Sequence, residues 1–392
     1  MNTKIFSSGL SKNKDWRKAA ESLIAGIKKD LGYKSCDVLI FFVGESYEGF
    51  NPGAFARFFA SELNPRVLIG CNSSGVIGNQ KEVEMEPAIS VLAMHLPEVK
   101  LLPFCISPDD MEAIKEGAAL INFLDLFPTE KPHFICLADP MSCDITRLLH
   151  AFNEGYKGLP VIGGLASGGA LNVPNWLCLG DTIYKEGAVG VALMGPIEFE
   201  VIVSQGCRPI AKPFVVTKAE DNILYELAGR QALLVLRDMI ADLPQKDRAL
   251  AQHSLFVGLA MNENKADFKR GDFLIRNIMG FDPETGALVI GAALRVGQTL
   301  QFQLRDSETS TEDLRELLEK VTKPDASPRG GILVSCCGRG QNLFGEPDHD
   351  AKMIQSMKGP IALAGFFASG EIGPIGQKNY VHGYTSSLVL LK

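Results

Sequence analysis

A chain of 392 residues is too long for one ordinary hydrophobic core, so two or more domains are expected. With 46% hydrophobic and 22% charged residues it belongs with folded globular proteins, which confines disorder to ends and loops. A net charge of −7, without a dense Lys/Arg cluster interleaved with aromatics, argues against a nucleic acid or an anionic membrane as partner.

Residues 1–10 lack the apolar stretch of a secretion signal, and no uncharged apolar run reaches the roughly 18 residues that span a bilayer. Nine cysteines without a Cys-x-x-Cys pair fit reduced thiols in a cytoplasmic protein better than a disulfide framework. Ser11 to Leu31 has helical periodicity, with Trp16, Ala20, Leu23, Ile24, Ile27 and Leu31 on one face. Lys28 and Lys29 suit its C-terminal dipole, and Gly32 is placed to end it. Asp37 to Val43 reads as a buried strand and residues 53–63 as a short helix. His133 to Ala138 is the next such strand, and Asp144 caps a helix carrying Ile145, Leu148, Leu149 and Phe152 inward.

Beyond that point the texture changes. Residues 219–243 predict a helix, and 272–305 predict a β-meander with turns at Asp282–Gly286 and at Gly297. Ser310-x-x-Asp313 reads as a capping box opening a helix with Leu314, Leu317, Leu318 and Val321 inward, and Pro324 begins a surface connection. Gly331 to Cys336 is again a strand, followed by a helix with Met353, Ile354 and Met357.

One phrase ties these segments together. Gly-x-x-x-Ser-Gly occurs as Gly70 to Gly75, Gly163 to Gly168 and Gly365 to Gly370, each time after a short apolar stretch. Another strand-like run follows each copy after a polar excursion, beginning at Ala88, Ala188 and Thr385. This predicts one unit used three times, ordered strand, helix, strand, Gly/Ser turn, strand. The expected fold is therefore α/β, with two domains of mixed sheets and flanking helices, divided as residues 1–215 and 216–392.

Consecutive amides in such a turn form a concavity that binds carboxylate or phosphate; a tight turn holding no ligand reads equally well. No Walker A ending is present, Gly338-Arg-Gly340 lacks the third glycine of a dinucleotide fingerprint, and serine directly before glycine excludes a nucleophile elbow. Ser335-Cys-Cys-Gly-Arg-Gly340 combines thiols with a guanidinium that would bind a carboxylate and lower a thiol's pKa. Its alternative is a pair of buried small residues beside a solvated arginine. Glu346-Pro-Asp-His-Asp350 suits a helix N-terminus better than a metal site, and six scattered His argue against zinc. No cofactor is expected.

The chain resembles the FIST family. The resemblance rests on Leu68-Ile-Gly-Cys, Gly187-Ala-Val-Gly-Val-Ala-Leu and Gln205-Gly-Cys-Arg-Pro-Ile210, then on Cys336-Cys-Gly-Arg-Gly340, Phe344-Gly345, Gly365 to Gly373 and His382-Gly-Tyr-Thr385. It implies a stand-alone sensory module that binds a small ligand, an amino acid or related carboxylate, and relays to a signalling partner. Under that reading Ser74-Gly75, Ser167-Gly168 and Ser369-Gly370 supply neutral donors, and Arg208 and Arg339 supply cationic forks. Glu371 accepts from an amine, while Cys336 and His382 line the same cavity. A hydrolase or transferase using cysteine or serine, and a ligand-free interaction scaffold, stay open as rival classes.

Overall fold

The computed structural model describes residues 3–44, 47, 49–168, 174–265, 267–321 and 328–392. The chain forms two compact units, one made of residues 1–203 with 315–392 and one of 204–314.

In the first unit β1 (Ile5–Ser11), α1 (Trp16–Leu31), β2 (Val38–Val43), α2 (Pro52–Leu63) and β3 (Val67–Asn72) lead to the hairpin β4 (Gly75–Gly78)/β5 (Lys81–Glu84) and then β6 (Ile89–His95). Next come β7 (Lys100–Ile106), α3 (Pro108–Ala113), α4 (Gly117–Leu124), β8 (His133–Ala138), α5 (Ile145–Gly155) and β9 (Val161–Leu165). The hairpin β10 (Leu177–Leu179)/β11 (Thr182–Tyr184), β12 (Ala188–Met194) and β13 (Phe199–Ser204) complete that stretch.

The second unit holds β14 (Cys207–Pro209), β15 (Phe214–Glu220), β16 (Ile223–Leu227), β17 (Arg230–Gln231), α6 (Ala232–Ala241), α7 (Gln245–Ala251) and β18 (Leu255–Ala260). It continues through β19 (Phe273–Phe281), β20 (Leu288–Ile290), β21 (Thr299–Arg305) and the start of α8 (Ser307–Lys320). The chain then returns to the first unit with β22 (Gly330–Cys336), α9 (Gly340–Phe344), α10 (His349–Lys358) and β23 (Ala362–Ala368). The hairpin β24 (Glu371–Ile375)/β25 (Lys378–His382) and β26 (Ser386–Leu391) follow.

The first unit carries three sheets with one common order: β1-β6-β2-β3-β10-β11, β7-β12-β8-β9-β24-β25 and β13-β26-β22-β23-β4-β5. At the centre of each lies a parallel pair, β2/β3, β8/β9 or β22/β23, joined through a helical crossover. The returning strand, β6, β12 or β26, adds antiparallel to the first member of that pair. The ribbon after each Ser-Gly turn leaves its own sheet. β4–β5 pairs with β23, β10–β11 with β3, and β24–β25 with β9, so the three sheets exchange hairpins in a ring.

Strands buried on both faces, as β2, β3 and β12 are, require near-continuous apolar sequence, and Val38 to Val43 supplies it. All three sheets contribute to one apolar core, where Phe42 stacks on Phe366 at 4.6 Å. Helices α1 and α2 seal the outer face of the first sheet and α3 to α5 that of the second.

In the second unit β21-β15-β16-β20-β19-β18 closes on itself through β18–β21 pairing, which leaves no free edge in that ring. Leu233, Leu236 and Met239 of α6 join its apolar core. No helix among the described residues is long and apolar enough to cross a membrane.

Several expectations need correction. Residues 5–11 form a strand, so α1 starts at Trp16, where Asp15 caps it by accepting from the Arg17 amide at 2.9 Å. The helix predicted over 219–243 is strand up to Leu227 and becomes helix only from Ala232. Ser310 and Asp313 lie inside α8 rather than at its start; Asp306 caps it, accepting from the Thr309 amide at 2.7 Å. Asp313 instead accepts from the Ser204 hydroxyl and the Gly206 amide, at 2.8 and 3.0 Å. The connection predicted from Pro324 lies, as far as residue 327, outside the described residues.

Candidate functional site

The three Gly/Ser turns meet. Parallel strands of one sheet deliver their C-terminal ends to the same edge, and the ring of hairpin exchange brings the three edges together. The Ser167 amide donates to the Asn72 carbonyl at 3.4 Å, and the Ser369 amide donates to the Leu165 carbonyl at 3.1 Å. The remaining link runs through a side chain: the Ser74 amide donates to Ser167 Oγ at 3.0 Å, and that hydroxyl donates onward to the Phe367 carbonyl. Each serine amide is therefore spent on a neighbouring turn. Gly75, Gly168 and Gly370 are needed for closeness, and none of them has positive φ. A Cβ at Gly75 would lie 2.7 Å from the Val83 carbonyl oxygen, one at Gly168 2.4 Å from Asn72 Nδ2, and one at Gly370 2.9 Å from Leu165 Cδ1.

Cys337 touches this hub, its sulfur 3.1 Å from Ser74 Oγ. Burial, and after it the Glu371 carboxylate, push the Cys336 thiol up to about 12; burial also raises Cys337. Neither thiol has the lowered pKa of a nucleophile. Glu371 is fully buried and accepts from the Thr385 amide at 3.0 Å, while the Thr385 carbonyl accepts from the Cys336 amide at 2.9 Å. His382 faces Glu371 across the β24/β25 ribbon and donates from Nε2 to the Gly373 carbonyl at 3.0 Å. The hub thus gathers Ser74, Ser167, Ser369, Cys336, Glu371 and His382 around the exchanged ribbons.

The two arginines are engaged elsewhere. Arg208 belongs to the second unit, where Asp247 grips it at 2.6 and 3.1 Å and Asp306 adds a contact at 3.2 Å. Arg339 is completely buried and makes a two-pronged pair with Asp350 at 2.9 and 3.0 Å. Burial drives the Asp350 carboxyl up, but Arg339 and His349 outweigh it and hold the group at about 2. Nearby, Glu82 on β5 accepts from the Ala351 amide at 2.8 Å, and Asp348 accepts from the Glu82 amide at the same distance. These bonds fasten the exchanged ribbon to α10.

Glu82 behaves in the opposite sense to Asp350. Burial, then the Asp350 charge, raise it to about 8. Its folded value lies above the unfolded one, so the stability it lends is complete below about 4.5 and is lost as pH rises towards about 8. Thermal melts of Glu82→Gln against the parent protein should therefore show a gap that favours the variant increasingly between pH 5 and 8. A gap independent of pH would mean that Glu82 is already ionised in the fold.

The described cavity lies beside the hub, at the C-terminal ends of β2 and β3, and has a volume of about 320 Å³. The aromatic residues Tyr47, Phe50 and Trp176 line it together with Asn72 and Ser73, and Gly168 comes from the second turn. Asn72 fixes Trp176 in place: its Oδ1 accepts from the Trp176 amide at 2.9 Å, and its Nδ2 donates to the Pro174 carbonyl at 3.3 Å. The Tyr47 hydroxyl is buried and has no hydrogen-bond partner among the described residues. Of the residues singled out from sequence, only Gly168 lines this cavity. Asn72 and Ser73 were legible as the variable middle of the first Gly-x-x-x-Ser-Gly copy; Tyr47, Phe50 and Trp176 lie in stretches without a motif. Among the described residues no group of three or more His, Cys, Asp and Glu is arranged to hold a metal.

Comparison with known proteins finds matches across nearly the whole chain. The FIST N domain matches residues 37–230 and the FIST C domain residues 232–374. An uncharacterized protein of Mycobacterium tuberculosis is 35% identical over 384 residues, covering 97% of this chain and 98% of its own length. An uncharacterized protein of Mycobacterium bovis is 37% identical over 331 residues, covering 84% of this chain and 83% of its own.

Proposed function

The chain belongs to the FIST family, which is associated with sensory roles in signal transduction, and on that premise we propose that it is a small-ligand-binding sensory module. The observation that carries this reading is the cavity beside the three-turn hub. It is concave, mostly apolar with three aromatic residues, and equipped with a few polar groups, as small-molecule sites are, and its volume sits at their lower end. Ligand contact with Asn72, Ser73 or Gly168 bears directly on the hydrogen bonds that join the turns, which gives occupancy a route to a relay partner. An amino acid or related carboxylate as ligand was expected to be held by Arg208 and Arg339. Both guanidinium groups already serve carboxylates of the fold, so recognition falls to the cavity walls.

Thiol or serine catalysis is the weaker reading. Cys336 is pushed up to about 12, and the Ser74 and Ser167 hydroxyls are tied into the hub, bonded to Cys337, to each other and to the Phe367 carbonyl rather than to a base.

A thermal-shift screen against amino acids, small carboxylates and neutral metabolites tests the proposal. A ligand at about 100 times its Kd should stabilise the protein by roughly 2.7 kcal/mol. No saturable stabilisation by any class would sink the sensory reading and favour a ligand-free scaffold.

A further inference from the structure

The lining of the cavity says more about what fits than its size does. Its three rings are near neighbours in one surface. The Phe50 and Trp176 centroids are 6.0 Å apart with planes 31° from parallel, and Tyr47 and Phe50 are 5.9 Å apart at 33°. That spacing is too small for a ligand to slip between Phe50 and either neighbour, and the two tilts are too shallow for the walls of a box. A cation is best held by faces that surround it, whereas a planar ring gains most from one continuous aromatic wall. No Lys, Arg, Asp or Glu is among the described residues lining the cavity. A charge seated against these described residues would meet no opposite charge among them, which disfavours an ion on that wall.

The polar groups of the lining are unequally available. Both ends of the Asn72 amide are used in holding residues 174–176, and the Ser73 hydroxyl donates to the Gly75 carbonyl at 2.8 Å. The Tyr47 hydroxyl stands apart from these. Tyr47 is only 4% exposed, its hydroxyl lacks a partner among the described residues, and burial keeps that group protonated. A buried hydroxyl without a partner is destabilising, so its presence points to a group brought from outside.

We propose that this cavity takes a small uncharged aromatic molecule, between phenol and indole in size. Its ring lies on the wall formed by Tyr47, Phe50 and Trp176, and its single polar group pairs with the Tyr47 hydroxyl. The inference rests on the ligand-binding reading and narrows it to one chemical class.

The test compares probes of matched size on the full chain, by thermal shift and calorimetry: phenol, benzyl alcohol, cyclohexanol and tetramethylammonium. Phenol and benzyl alcohol should bind saturably, cyclohexanol at least tenfold more weakly, and tetramethylammonium not at all. Tyr47→Phe keeps the ring and removes the hydroxyl. It should weaken phenol binding roughly tenfold, the equivalent of one neutral hydrogen bond, while the melting temperature of the free protein stays level or rises. Equal binding of cyclohexanol and phenol, or a preference for tetramethylammonium, overturns the proposal, as does unchanged phenol affinity in Tyr47→Phe. If all four probes fail while an amino acid or carboxylate stabilises the protein, the aromatic class is wrong and the sensory reading stands. If nothing stabilises it, both fall.

Discussion

Replacing Asp350 with alanine is expected to destabilise the protein by about 3–5 kcal/mol, because it leaves the Arg339 guanidinium charged in the interior without the carboxylate that grips it on two prongs. Arg339 is completely buried and the Asp350 side chain is 2% exposed, so water cannot take the place of the lost partner. Denaturant unfolding at neutral pH reads the effect directly. The double variant Arg339→Met/Asp350→Leu should recover most of the loss, since it removes both charges rather than one. The pH dependence has a definite sign. The folded Asp350 sits near 2, below its ordinary 3.8, so the stability it lends is present above about 3.8 and is lost as pH falls towards 2. Acid unfolding of the parent should accordingly be steeper than that of the double variant. An Arg339→Ala protein of normal stability that binds carboxylates poorly would instead make Arg339 a ligand fork.

Gly365→Ala is expected to cost about 3 kcal/mol or more, at the upper end of overpacking effects. Gly365 faces Leu333 across the parallel β22/β23 pair, and a Cβ there would lie 1.8 Å from the Leu333 carbonyl oxygen. The obstacle is backbone, which has no rotamer into which it can retreat. The corresponding glycines of the other sheets are as confined: Gly163 meets the Cys136 carbonyl at 1.8 Å and Gly70 the Phe41 carbonyl at 2.5 Å. Gly26→Ala serves as the control. It lies within α1 with open space around it, and should stabilise the protein by about 0.5–1 kcal/mol. A Gly365→Ala protein that unfolds at the same denaturant concentration as the parent would refute the packing account.

The elements with strong local signals were legible in the sequence. Val38 to Val43 and Ala188 to Met194 are unbroken apolar runs, and Asp144 before an amphipathic stretch marks the start of α5. Residues 5–11 were not legible as a strand, because Ser7, Ser8 and Ser11 dilute the alternation and the strand exists only through pairing with β6. The three hairpins after the turns read as polar excursions for the same reason: Lys81 to Glu84 and Lys378 to His382 become strands by pairing with β4 and β24, which themselves lie on another sheet. In the candidate site, the phrase Gly-x-x-x-Ser-Gly marked where the chain turns, but not where each turn's amides go, which depends on partners nearly one hundred or more positions away. The aromatic wall was invisible for the same cause, since Phe50 and Trp176 meet only after β2, β3 and β10 have assembled.

The ring of exchanged hairpins has a consequence for how the first unit is made. Residues 75–84 find their sheet only against β23, and the middle sheet waits for residues 371–382, so the first sheet is complete once β11 is made but the other two stay unfinished until synthesis has reached β25 and β26. Contacts this distant along the chain raise the contact order and slow the search for the native arrangement. During translation, β9 stands as an open edge from its own synthesis until β24 emerges and so invites pairing with other chains, a hazard best met by a holding chaperone. Once the last ribbon seats, the same linkage works in reverse: none of the three sheets can open without withdrawing a strand from a second, and the assembled body should melt as a single cooperative block.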